Sequence, residues 1–209
     1  MILGVLELYI VMKALLSILL VLFVILILFQ SFMAYSTTNI EKQKYTLIRK
    51  EKEFEIRFYP PATMATIRSS ARSYRELSGS GFRSIAGYIF GNNEAAQKIA
   101  MTSPVHMDIQ EKESSMSFVM PAEYGPSTLP RPNDARVVIH ESPAEYAAAI
   151  SFGGYAGDDS IKRYSEKLRV ALEEKGIKIT GHYRYLGYNP PYQVVGRKNE
   201  IIVAVEWKQ

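Results

Sequence analysis

The stretch Gly81–Val105, GFRSIAGYIFGNNEAAQKIAMTSPV, predicts an apolar-faced helix that a turn joins to a strand. Four apolar residues spaced i, i+3, i+4 and i+7 share one helical face: Phe82, Ile85, Ala86 and Ile89. Ser80 is the predicted cap at the helix start. Gly91 and the two asparagines after it are the predicted stop, because glycine and asparagine tolerate the left-handed conformation. We therefore expect a core helix packed on a sheet.

The segment after this turn, Ile99–Val105, is predicted to be extended. Pro104 has no N–H to donate to a neighbouring strand, so the strand is expected at an edge of the sheet or to end there. Val105 and His106 would then lie at its rim.

Alternating apolar and polar residues predict further strands on both sides of this stretch. They lie within Tyr45–Phe58, Ala62–Arg68, Met116–Met120, Arg136–Glu141, Glu145–Phe152, Ile177–Leu186 and Ile201–Trp207. A second helix is predicted over Asp158–Lys175, with Gly176 as its stop. Strands, helix and strands thus occur twice. This predicts an α+β fold of two similar halves that share one sheet or close into a distorted barrel, with the helices outside.

Residues 1–35 contain an apolar run, Ala14–Tyr35, whose 22 residues are enough to cross a bilayer. We interpret it as an N-terminal transmembrane anchor, followed by a linker over 36–44 and a domain over 45–209. The alternative is a signal peptide that starts at Met12 and is cleaved after Ser36, with Ala34 as the small residue before the cut.

Two features of the sequence give opposite predictions for the side of the membrane on which the domain lies. Lys13 stands alone before the apolar run, whereas Lys42, Lys44, Arg49 and Lys50 follow it, which favours a cytoplasmic domain. A signal-like start favours export, which is our expectation. Cleavage would instead leave the domain secreted or periplasmic.

Composition excludes several classes of function. The net charge of +4 is mild and basic residues do not interleave with aromatics, so nucleic acid is not an expected partner. Without cysteine there are no disulfides, thiolate zinc sites or cysteine nucleophiles. The chain has neither G-x-S-x-G nor H-E-x-x-H, and Gly79 and Gly81 lack the third glycine of a dinucleotide fingerprint.

Histidines and tyrosines supply the candidate ligand-binding side chains. His106, His140 and His182 are too far apart in sequence to predict a multi-histidine metal site, but His106 is a candidate axial ligand of a haem iron. Tyrosines cluster around Asn189-Pro190-Pro191, among them Tyr188 and Tyr192. Such amphipathic rings suit a flat apolar ligand with polar edges, although aromatic residues at strand spacing are mostly core.

Five segments in one order resemble the SOUL haem-binding protein family. They are YTLIRKEKEFEIRFY from Tyr45, GFRSIAGYIFGNN from Gly81, KIAMTSPV from Lys98, SFGGYA from Ser151 and LGYNPPYQVVGRKNEIIVAV from Leu186. The resemblance spans Tyr45–Trp207. It implies a distorted barrel of two halves, each with one helix, related to the ligand-binding domains of bacterial multidrug-sensing regulators.

The same resemblance implies noncovalent binding of haem or another tetrapyrrole in an apolar groove beside the first domain helix and the loop that holds Tyr188 to Gln193. The implied groove residues are Phe82, Ile85, Ala86, Ile89, Tyr188 and Tyr192, with Arg83 for a propionate. Gln193 stands where some relatives carry a basic residue. No residue clearly matches the histidine ligand of others.

Three functions follow as hypotheses. The first is a membrane-tethered, monomeric tetrapyrrole-binding protein that acts as carrier, buffer or sensor. The second is an enzyme acting on a hydrophobic small molecule or tetrapyrrole, with Glu200 or Glu145 as a buried acid of raised pKa. The third is a membrane-surface interaction module without a small ligand.

Overall fold

A computed structural model describes residues 2–38 and 40–208, so Met1, Asn39 and Gln209, at the limits of the predicted segments or within the linker, lie outside it. The helices are α1 (Ile2–Thr38), α2 (Tyr74–Ile89) and α3 (Asp158–Glu174). The strands are β1 (Glu41–Lys42), β2 (Thr46–Lys50), β3 (Glu55–Tyr59), β4 (Ala62–Ser69), β5 (Thr102–Ser103), β6 (Val105–Asp108), β7 (Ser114–Val119), β8 (Val138–Ser142), β9 (Glu145–Phe152), β10 (Arg184–Gly187) and β11 (Asn199–Ala204).

Nine strands form one curled, barrel-like antiparallel sheet in the order β2-β3-β9-β11-β10-β6-β7-β4-β8, and β1 pairs with β5 in a separate parallel ribbon. The predicted α+β class and barrel-like sheet are therefore confirmed. The sheet edges, β2 and β8, do not pair with each other in the described part of the chain.

The sheet is built from two equivalent halves that exchange a strand. In spatial order, the first half contributes β6-β7-β4 with α2 between β4 and β6 in sequence, and the second contributes β10-β11-β9 with α3 between β9 and β10. The halves meet where β6 pairs with β10. The strand that precedes each half crosses to the other, since β3 pairs with β9 and β8 pairs with β4. The predicted duplication is confirmed, and the exchange makes neither half a separate domain.

Both domain helices pack on the same face of this sheet and build the main core. Leu77, Ile85 and Ile89 of α2, and Leu168 and Leu172 of α3, are fully buried there. Gly81 of α2 lies so close to β4 and β7 that an added Cβ would come within 3.2 Å of their side chains. Glycine at this position lets the helix approach the sheet closely.

The start of α2 differs from the prediction. The helix begins at Tyr74 and not near Ser80, because Ser73 is its cap: the Ser73 side chain accepts a hydrogen bond from the Glu76 N–H at 3.2 Å. Ser80 lies inside the helix and donates to the Glu76 carbonyl. The predicted stop is confirmed, since the helix ends at Ile89 and Gly91 has φ of 110°.

The strand before Pro104 was predicted to lie at an edge or to end there, and β5 does end at Ser103. The placement of Val105 and His106 at its rim is wrong. β6 lies inside the sheet, between β10 and β7. Pro104 does not interrupt a ladder, because it separates the two short strands β5 and β6 through a cis Ser103–Pro104 bond. The residue without an N–H therefore lies in the connection between the two-stranded ribbon and the main sheet.

Helix α1 stands apart from the domain core. It contains one segment, Tyr9–Phe32, that is long and apolar enough to cross a membrane, with mean hydropathy 3.1. Its described side chains are exposed except Gln30, which is half-buried. The helix continues through Thr38, so the predicted linker over 36–44 contains the last turn of α1 and also β1.

A chain that begins at residue 40 is expected to fold without α1 as a soluble monomer, because both core clusters consist of residues from Phe54 onward. Circular dichroism, thermal unfolding and size-exclusion chromatography in the absence of detergent would check this. A chain that remains unfolded or insoluble would show that the domain needs α1 packed against it.

Candidate functional site

The register of the sheet lines up one residue from each of six neighbouring strands on the face that carries no helix. In each pairing from β9 to β4, these residues stand directly opposite each other. We call this set the cross-strand row; it consists of Ser151, Glu200, Leu186, His106, Ser117 and Thr66. Residues as far apart in sequence as Thr66 and Glu200 thus share one line across the molecule.

Glu200, in this row, is a carboxylate with no exposed surface, and two cations and two hydroxyl groups surround it. Arg57 makes a bidentate pair with it, with Nη1 2.8 Å from Oε2 and Nη2 2.9 Å from Oε1. The Tyr188 hydroxyl donates to Oε2 at 2.6 Å and the Ser151 hydroxyl to Oε1 at 2.9 Å. Lys198 Nζ lies 3.0 Å from Oε1. Each carboxylate oxygen therefore has several donors.

These partners decide the protonation state of Glu200. Burial by itself raises the pKa of this carboxyl group, but the hydrogen bonds and charge of Arg57, aided by Tyr188 and Lys198, outweigh burial and lower it to about 2. Burial, with Arg57 opposing it, raises the pKa of the neighbouring Tyr59 to about 12. The enzyme hypothesis named Glu200 or Glu145 as an acid of raised pKa. At Glu200 the shift has the opposite direction, because the Arg57 guanidinium favours the carboxylate ion.

Aromatic rings and the segment before β2 close this face. The Arg57 guanidinium lies 4.3 Å over the Tyr45 ring, and Tyr45 and Tyr59 have ring centroids 5.4 Å apart. Tyr59 belongs to a small second core on this face. The core consists of Tyr59, Ala147, Ala149, Leu186 and Ile202, with Tyr188 packed against it. The part of this face around Arg57 and Glu200 is therefore filled by side chains.

His106, the candidate axial ligand, lies in the same interior and is 5% exposed. Its Nε2 is 2.7 Å from Oε1 of Gln43. Burial, together with the charge of Arg184, lowers the pKa of His106 to about 3, so the ring is neutral at pH 7. An iron at Nε2 would have to displace the segment that carries Gln43.

The predicted groove residues of α2 divide between the core and the surface. Ile85, Ala86 and Ile89 are buried against the sheet. Phe82 is half-buried, with its ring 5.4 Å from that of Phe118. Arg83 is exposed, and its Nε donates to the Gly79 carbonyl at 3.3 Å. The four apolar side chains therefore hold the helix to the sheet, and whether any of them also contacts a ligand stays a prediction.

The solvent side of α2 has a distinct composition that the sequence prediction missed. Gly79, Arg83, Gly87 and Phe90 follow one another at i, i+4, i+8 and i+11, and no side chain packs within 3.9 Å of the position where a Cβ would stand on either glycine. Phe90, just after the helix, is 58% exposed. We call this set the exposed α2 face. It combines a flat backbone surface with one cation and one free aromatic ring.

The two tyrosines predicted for the groove are also separated. Tyr188 packs in the second core and bonds Glu200, on the sheet face opposite α2. Tyr192 is exposed in the β10–β11 loop, residues 188–198. The structure therefore does not bring the predicted residues together in one groove, and their joint role stays a prediction.

Enclosed space in the domain is small. A cavity of about 190 Å³ lies between the residues around β1 and those around Pro60 and Pro121, below the roughly 300–1,000 Å³ of ordinary ligand pockets. A more open notch of about 350 Å³ lies beside Ile177 and Trp207, after α3. Neither includes a predicted site residue.

The sequence analysis missed Arg57, the main partner of the buried Glu200 carboxylate. A partial signal was present, because Glu55, Arg57 and Tyr59 alternate with the apolar Ile56 and Phe58 on β3. The partner of Arg57, Glu200, is 143 residues away, so no local pattern identifies it. The alternative acid, Glu145, is instead paired with Arg184 at 2.6 Å.

Comparisons with known proteins agree with this architecture. A family model described as SOUL heme-binding protein matches residues 40–204. The chain is 28% identical over 156 residues to Heme-binding protein 2 of Mus musculus, which covers 71% of this chain and 76% of that protein. It is 27% identical over 174 residues to Heme-binding protein 1 of Xenopus laevis, with coverage of 78% and 91%. Among solved structures, the EcmrR C-terminal domain has a similar fold, with a TM-score of 0.56 at 14% identity over 78% of this chain and 99% of that one.

Replacing one partner of the buried Arg57–Glu200 pair is expected to destabilise the domain far more than replacing both. Arg57→Met should cost about 3–5 kcal/mol, because it leaves a buried carboxylate without its main partner, whereas Arg57→Met with Glu200→Leu should recover most of that loss. Urea unfolding would measure both. Arg169→Met, which breaks exposed pairs with Glu166 and Glu173 on α3, is the control and should leave the free energy of unfolding nearly unchanged. Additive effects of the two buried substitutions would contradict the coupling.

His106 is expected to make the domain acid-sensitive. Because its folded pKa is about 3, below the ordinary 6.5, the unfolded chain binds a proton that the folded domain does not. Stability should therefore fall as pH drops below about 6.5, by up to about 1.4 kcal/mol per pH unit. His106→Gln should remove this slope between pH 6.5 and 5, and His182→Gln, at an exposed histidine, should not. Unfolding curves across this range would decide, and equal slopes in all three proteins would contradict the assignment.

Proposed function

The chain belongs to the SOUL heme-binding protein family, and from this premise we propose that it binds haem or another tetrapyrrole noncovalently. Two relatives carry the name heme-binding protein, and their alignment with this chain covers most of each relative's length. In this proposal the protein acts as a carrier, buffer or sensor that α1 tethers to a membrane. None of these roles requires a chemical step by the chain itself.

The observation that supports a ligand surface is the composition of the exposed α2 face. Gly79 and Gly87 leave backbone accessible to a flat macrocycle, and Phe90 offers an exposed ring beside it. No described residue accepts a hydrogen bond from the two terminal nitrogens of Arg83. A guanidinium with free N–H groups binds a carboxylate bidentately, which suits a propionate at the rim of a tetrapyrrole.

Burial of ring surface would supply most of the affinity at such a site, at roughly 25 cal/mol per Å² of apolar area less the cost of association. Haem, when bound, supplies a redox-active iron. The residues of this chain would bind the ring through Phe90 and the half-buried Phe82 and orient it through Arg83. Because Gln43 and burial hold His106, we expect the protein to bind without that histidine as a ligand.

Helix α1 is the proposed membrane tether of the domain. Its Tyr9–Phe32 segment has the length and composition of a membrane span, and no core residue of the domain comes from it. We propose that it remains attached and that the domain is exported. Cleavage after Ser36 would cut within the helical residues of α1, because this helix continues to Thr38.

Haem titration followed by absorbance tests the ligand and its surface together. The wild-type protein is expected to show a saturable Soret change. Arg83→Ala should weaken binding by on the order of 1 kcal/mol, more at low salt than at high, and Phe90→Asp should weaken it further by placing a charge on the apolar surface. Ile85→Asp is unsuitable because Ile85 is a core residue and the variant should unfold.

Matched substitutions on α3 control for general surface effects. Arg163→Ala and Val170→Asp change an arginine and an exposed apolar residue of similar setting and should leave haem affinity unchanged. Unchanged affinity in Arg83→Ala and Phe90→Asp would place the ligand elsewhere on the domain. Absence of saturable binding by the wild-type protein would overturn the proposed function itself.

A further inference from the structure

The β10–β11 loop exposes apolar side chains and buries polar ones, which is the reverse of an ordinary surface loop. Its amide and charged side chains other than Lys198 are buried or half-buried. Gln193 is 2% exposed, and Nε2 of this residue donates to the Val195 carbonyl at 3.0 Å. Its apolar side chains stand outward, with Tyr192 57%, Val194 56% and Val195 67% exposed. Water does not favour this arrangement, because it exposes the residues that gain most from burial.

Internal hydrogen bonds fix the loop in this shape. Arg197 Nη1 donates to the carbonyls of Pro190 and Gln193, both at 2.7 Å. Asn189 Oδ1 accepts from the Lys198 N–H at 2.6 Å. The Arg197 guanidinium also lies 4.4 Å over the ring of Tyr155, another exposed aromatic residue. The outward apolar side chains are thus part of a built surface and not of a loose segment.

The same loop is bound to α1. Gln30 Nε2 donates to the Tyr192 carbonyl at 3.4 Å, and Gln30 Oε1 accepts from the Val194 N–H at 3.1 Å. Gln30 lies two residues before the end of the apolar segment Tyr9–Phe32, which is about 3 Å along a helix axis. The contact places Tyr192, Val194 and Val195 at the level where that apolar segment ends.

We propose that the β10–β11 loop docks on the lipid bilayer that holds α1, with Val194, Val195 and Tyr192 in the boundary between headgroups and acyl chains. The proposal rests on the membrane tether proposed above. A bilayer fits because the outward side chains are apolar, and because the loop bonds several of its polar groups internally or to Gln30, which lowers the cost of lipid contact. The domain is then held in one orientation on the membrane and does not swing on a free linker.

The absence of cysteine from the chain makes this testable in the full-length protein. Val195→Cys, Val138→Cys and Leu22→Cys would each carry one nitroxide label after reconstitution in phosphatidylcholine vesicles. Electron paramagnetic resonance would measure collisions of the label with oxygen, which concentrates in lipid, and with a water-soluble nickel chelate. Val138, 55% exposed on the edge strand β8, is the matched control, and Leu22 reports on α1.

The label at position 195 is expected to have a several-fold higher oxygen-to-nickel ratio than that at 138 and a lower one than that at 22. Equal ratios at 195 and 138, with lipid values at 22, would overturn the docking and leave the tether standing. Loss of collisions with both reagents at 195 would indicate burial against protein and would also overturn the docking. Aqueous values at position 22 would overturn the tether, and the docking with it.

Discussion

The second face of the sheet depends on one ion, the Glu200 carboxylate, which has no exposed surface. A lone charge there would cost several kcal/mol of stability. Its neutralisation requires Arg57 from β3, Ser151 from β9 and Tyr188 from the loop after β10. Elements far apart in the sequence must therefore reach their final positions together. Arg57 in turn needs Tyr45 and Glu55 around its guanidinium, which positions the segment that enters the sheet.

The strand exchange explains why this ion pair joins the two halves. β3 belongs to the first half in sequence but pairs with β9 of the second, so Arg57 arrives beside Ser151 and Glu200. Without the exchange, the arginine and the carboxylate would lie in separate units. The pair therefore gives the exchanged arrangement a specific polar requirement that the apolar pattern of the strands does not contain.

Strand alternation and glycine stops predicted most elements and the duplication, because these signals are local. The start of α2 was missed because Tyr74–Gly81 contains serines and glycines of low helix propensity, and burial of Leu77 and close packing at Gly81 override that propensity. The position of β6 was missed because Val105 and His106 were assigned to the rim of the strand before Pro104, whereas a new strand begins at Val105. The groove residues were predicted from resemblance and periodicity. Periodicity identifies the buried face of a helix but not which of its other residues remain exposed. The exposed α2 face could therefore be identified only from the structure.

In the proposed function, helix α1 supplies location, since both core clusters consist of residues outside it. For a protein that binds a flat, apolar ligand, location has a direct energetic meaning. A ligand dissolved in the bilayer is concentrated within reach of a tethered domain, and a high effective concentration raises occupancy without any added contact in the binding surface. A domain that is also oriented by its loop presents the same surface to the lipid at each encounter. This would let a shallow, open site on α2, with few polar contacts and modest intrinsic affinity, still be occupied at the membrane.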